Sequence, residues 1–231
     1  MLLVAQLLVI ALCQRLYMMS RLGFVVLNAL CSMVFAQPHY SQEKIQKNLA
    51  GTFSVLPLRE FADGHLLACG LEFSALTPDH STKRGAPVKV IGSYYLRTFP
   101  VVGLGYSLKL GIYDGLTWTD PSPPSNAFVR SLRGRAPATA YRLLAETPGF
   151  ALFFGPLDNS FDQTLAGIIG EGKLVVGFNR APNQQDVVFT LDLHVENTRM
   201  VEDRVVRTRS PWMVDEFSAC VEELTKSKTK K

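Results

Sequence analysis

The residues best placed to do chemistry lie in the run DVVFTLDLHVE, 186–196. Val187, Phe189, Leu191, Leu193 and Val195 alternate with Val188, Thr190, Asp192, His194 and Glu196, so three ionisable side chains would line one face of a strand. A carboxylate two residues from a histidine can orient the ring for base catalysis or share a metal with it. The same alternation marks the wet face of any antiparallel strand, and that plainer reading takes precedence. A second constellation is basic. Arg130, Arg133 and Arg135 follow a proline-rich loop and could grip a carboxylate or phosphate, with Trp118 and Tyr113 as an aromatic floor. Solvated arginines and an aromatic core edge are the ordinary equivalents. His65 and His80, near Asp63 and Asp79, and His39 further upstream read as solvated turn residues.

Familiar catalytic motifs fail on their details. GYSLK, 105–109, begins like a nucleophile elbow but has Lys109 where the tight turn into a helix needs glycine. GLGYSL begins like a dinucleotide loop and lacks the third glycine and the strand-loop-helix setting. The sequence holds no phosphate loop, no H-E-x-x-H and no cysteine-based zinc spacing. No cofactor and no metal is expected.

The elements that would carry these residues are mostly strands. In LGYSLKLGIYDG, Leu104, Tyr106, Leu108, Leu110 and Ile112 recur with period two, and Asp114-Gly115 signals a turn. HLLACGLEFSAL places Leu67, Cys69, Leu71 and Phe73 on one face, and PVKVIGSYYLRTF, GFALFF, KLVVGFNR and DVVFTLDLHVE are further strands. DNSFDQTLAGIIGEG reads as a short helix with Phe161, Leu165, Ile168 and Ile169 inward. SPWMVDEFSACVEELTK reads as a closing amphipathic helix, capped by Ser210, with Met213, Phe217, Cys220, Val221 and Leu224 on its buried stripe. The fold class is therefore mainly β (α+β): an antiparallel β-sandwich or partly open barrel, with one internal helix and a C-terminal helix docked on the sheet. DPSPPS, 120–125, reads as a surface loop between two halves of one sheet system.

Residues 1–36 contain no Asp or Glu, two arginines and two short apolar runs, each below the roughly 20 residues that cross a bilayer. The second run, with basic MMSR before it and Val34-Phe35-Ala36 at its end, fits a secretory signal cleaved between Ala36 and Gln37. Translation from Met18 or Met19 would remove the odd apolar opening. An uncleaved anchor is the rival, and it would be the chain's sole attachment to a membrane. Lipidation at Cys31 is disfavoured by Leu30 before it. The expected mature chain, 37–231, is a single domain with a lysine-rich tail, 226–231. It keeps 22 of the 24 basic residues and all 20 acidic ones, and four of its lysines lie in the tail, so the body offers no electrostatic footprint for nucleic acid.

Export places the remaining cysteines in an oxidising compartment. Cys69 on the inward face of a strand and Cys220 on the inward stripe of the last helix are expected to bond, with two separate buried thiols as the alternative. The leader, the β body, GKLVVGFNR followed by DVVFTLDL, and the closing FSACVEEL helix are similar to small exported Gram-negative proteins that include the invasion-associated locus B group. The similarity covers the last third of the chain. It departs at ENTRMVEDRVVRTRS, a charged insertion between the last strand and the helix, and it carries over no functional residue. The expectation is a periplasmic or secreted, non-enzymatic interaction or structural module that binds an envelope protein or cell-surface component. The alternative is a small periplasmic hydrolase or metal-dependent enzyme using Asp192, His194 and Glu196.

Overall fold

The computed structural model describes residues 48–99, 103–115, 120–134, 141–156, 159–202 and 204–226. Four long strands open the fold as a meander: β1 (Gly51–Ala62), β2 (His65–Asp79), β3 (Ala86–Phe99) and β4 (Gly103–Asp114). Asp63-Gly64 closes the first hairpin with both residues at positive φ, 50° and 76°, which a two-residue turn between right-twisted strands requires. After β5 (Asn126–Arg130), β6 (Tyr141–Leu144) and β7 (Phe150–Pro156) return to complete a six-stranded antiparallel sheet in the order β1-β2-β3-β4-β7-β6. β5 instead pairs with β8 (Lys173–Asn179), and β9 (Val187–Asp192) joins β8 to make a three-stranded sheet. β10 (Val195–Val201) and β11 (Arg204–Arg209) form a separate hairpin.

The period-two pattern is carried through. In β3, Val88, Val90, Gly92, Tyr94 and Leu96 are buried, while the residues between them are half-exposed. These inward residues meet Leu71, Phe73, Leu108 and Phe153 of the same sheet, Val176, Phe178 and Leu191 of the smaller sheet, and both helices in one apolar core. Helix α1 spans Asn159–Glu171 and helix α2 spans Trp212–Lys226. On α2 all five expected residues are buried, together with Val214, and the Ser210 hydroxyl accepts the Trp212 N–H at 3.2 Å. Cys69 and Cys220 are disulfide-bonded, so α2 is fastened to the inner face of β2. Loop 120–125 does run from the larger sheet to the smaller one, and Ser122 bridges back to Ile112.

Three sequence expectations need correction. DVVFTLDLHVE is two strands and a turn: β9 ends at Asp192, and Leu193-His194 turns into β10. Leu193 N–H donates to Gly172 O at 2.9 Å, one position past Lys173↔Asp192 in the same register, and is the last bond of the β8–β9 ladder before the turn. Leu193 and Val195 stay buried through the turn, so the alternation continues where the strand does not. ENTRMVEDRVVRTRS does not lie beyond the last strand; most of it forms the β10–β11 hairpin. On α1 the buried stripe runs through Phe161, Thr164 and Ile168, and Ile169 faces outward. The expected leader with its expected Ala36–Gln37 cleavage site, His39 and most of the lysine tail lie outside the described residues.

Candidate functional site

Asp192 and His194 come together across the turn, with His194 Nδ1 3.4 Å from Asp192 Oδ1 and the His194 N–H donating to the same oxygen at 3.2 Å. The carboxylate is already engaged: Lys173 Nζ lies 3.1 Å and Arg209 Nη2 2.6 Å from Oδ2. Burial alone would raise the Asp192 carboxyl, but the Lys173 and His194 hydrogen bonds and the Lys173 and Arg209 charges hold it below the usual range. The His194 ring packs over Gly172, where a Cβ would stand 2.0 Å from Cε1. Glu196 is exposed on the next strand. Among the described residues no three His, Cys, Asp or Glu are grouped to hold a metal. The arrangement locks a turn by ion pairing, with both Asp192 oxygens engaged.

Of the arginine cluster, Arg130 is turned back onto its own loop. Arg130 Nη1 donates to the carbonyls of Ser131 and Leu132, both at 3.1 Å, and so closes its own loop. Arg133 is exposed, while Arg135 and Trp118 lie outside the described residues. Tyr113 packs edge-on against Phe150 on the outside of the larger sheet.

The most heavily engaged carboxylate belongs to Asp79, whose side chain is fully buried at the end of β2. It accepts from Ser81 N and Oγ at 2.9 and 2.7 Å and from Thr82 N and Oγ1 at 2.9 and 2.6 Å, and Arg180 Nε lies 3.1 Å away. Arg180 also reaches Asp114 at 2.6 Å and Ser122 at 3.3 Å, and Lys83 pairs with Asp114 at 2.9 Å. Burial would raise the Asp79 carboxyl, but the Thr82 and Ser81 bonds and the Arg180 charge outweigh it and bring it down to about 2. With every oxygen occupied, the network is a clasp joining the ends of β2, β4 and β8. PDHSTKRG, 78–85, carried its signal, since an Asp before Ser and Thr in a turn caps their N–H groups.

What sequence reasoning missed is the outer face of the six-stranded sheet. Register places Tyr95, Ser107, Phe154 and Tyr141 in one row across β3, β4, β7 and β6, with Ser93, Lys109, Leu152 and Leu143 in the next. Phe154 lies between Tyr141 and Phe99, with ring centroids at 5.5 and 5.9 Å. Three rings lie over glycines: a Cβ on Gly70, Gly105 or Gly111 would come within 2.4 to 2.8 Å of Tyr95, Phe99 or Phe150. Cross-strand pairs of this kind flatten an aromatic ring on the sheet and present its other face outward. The Arg97 guanidinium caps Phe99 and Lys109 caps Phe150, at 5.7 and 5.2 Å from the ring centroids. Among the described elements neither helix nor the smaller sheet packs here, since all of them join the core on the other side. Alternation of Tyr95, Arg97 and Phe99 with buried residues was the available signal, but it reads equally as an ordinary half-exposed face. The chain matches no known protein family, no curated protein and no solved structure.

Proposed function

We propose that the protein is an exported, non-enzymatic interaction module of a Gram-negative envelope, periplasmic or secreted after cleavage between Ala36 and Gln37. Its binding surface is the outer aromatic face of the six-stranded sheet, and its partner is an envelope protein or cell-surface component. That face, against which neither described helix nor the smaller sheet packs, carries the reading: exposed aromatic surface of this kind on a folded domain marks a site of association. The Cys69–Cys220 bond supports an oxidising destination. Among the described residues no helix is long and apolar enough to cross a membrane. The saturated carboxylates of Asp79 and Asp192 favour binding over catalysis.

A photoreactive amino acid at Ser93, in the middle of the face, should give a discrete heavier adduct in intact envelopes, and Phe154→Ala should abolish it. The same probe at Thr190, exposed on the smaller sheet, should give none. Equal labelling from both positions, or none from Ser93, would overturn the proposal.

A further inference from the structure

We draw no further inference here: the strongest candidate, the outer face of the six-stranded sheet around Tyr95, Phe154 and Tyr141, belongs to the site already described, and nothing in the structure shows what covers it.

Discussion

The two edges of the six-stranded sheet are built on opposite plans. At β1 the carbonyls of Leu49, Ala50 and Thr52 accept from Arg207 and Thr198 of the β10–β11 hairpin, and the Thr52 hydroxyl accepts the Asp192 N–H at 2.8 Å. Arg59 reaches over to Glu223 and Glu216 on α2 at 2.9 and 3.5 Å. One strand further in, the Cys69–Cys220 bond fastens that helix down. At β6 none of this is present among the described residues, and three large apolar side chains face water. One edge is covered by a hairpin, a helix and a disulfide, while among the described residues the other keeps three large apolar side chains exposed, so the fastening of the fold is concentrated on the β1 side.

Removing the staple should have the largest effect. The bond closes a loop of about 150 residues, for which chain entropy sets an upper value of roughly 5 kcal/mol, and measured losses for such bonds run from about 2 to 5 kcal/mol. The double change Cys69→Ala and Cys220→Ala, followed by thermal melting and hydrogen exchange, should lower the midpoint and make α2 amides exchange before those of β2 and β3. A midpoint unchanged within a degree would remove the main support for calling the β1 side the fastened one.

Asp79→Asn comes next. The Asp79 carboxyl falls from 3.8 to about 2, so its contribution is fully present above about pH 4 and disappears as pH drops through about 2. The shift corresponds to roughly 2 kcal/mol. Urea denaturation should therefore find the variant weaker by about that amount at pH 6, with the gap to the parent closing as pH approaches 2. A gap independent of pH would mean that packing, and not charge, joins the strand ends there.

How far the sequence revealed this division depends on the residue. Cys69 and Cys220 were legible because two independent periods, 2 and 3.6, each turned a sulfur inward. The Leu193–His194 turn was not, because burial continues to alternate across it and no glycine or proline marks it. β1 escaped notice because GTFSVLPLREFA alternates poorly: Val55 is buried but Leu56 and Phe61 are exposed, and Pro57 discourages a strand reading. Asp192 and His194 were rightly placed near each other, but their partners Lys173 and Arg209 come from other strands, which spacing in one segment does not show. The outer face was hidden for the same reason. Tyr95, Phe154 and Tyr141 become a row only once the register of β3, β4, β7 and β6 is known.

The smallest effect on stability is expected at β6, and its smallness is informative. Leu143 is more than half exposed, and its backbone groups already face β7, so Leu143→Lys removes little buried surface and no ladder bond. Its cost to the monomer in dilute denaturation should stay within about 0.5 kcal/mol, well below the loss at the staple. At high concentration the same substitution should lower self-association, because a further charge on an exposed edge strand discourages strand addition. Static light scattering across a concentration series should show the parent chain gaining mass and the variant staying flat. A loss of monomer stability approaching that of the cysteine variant would show instead that β6 is packed from within the chain, and the contrast between the two edges would collapse.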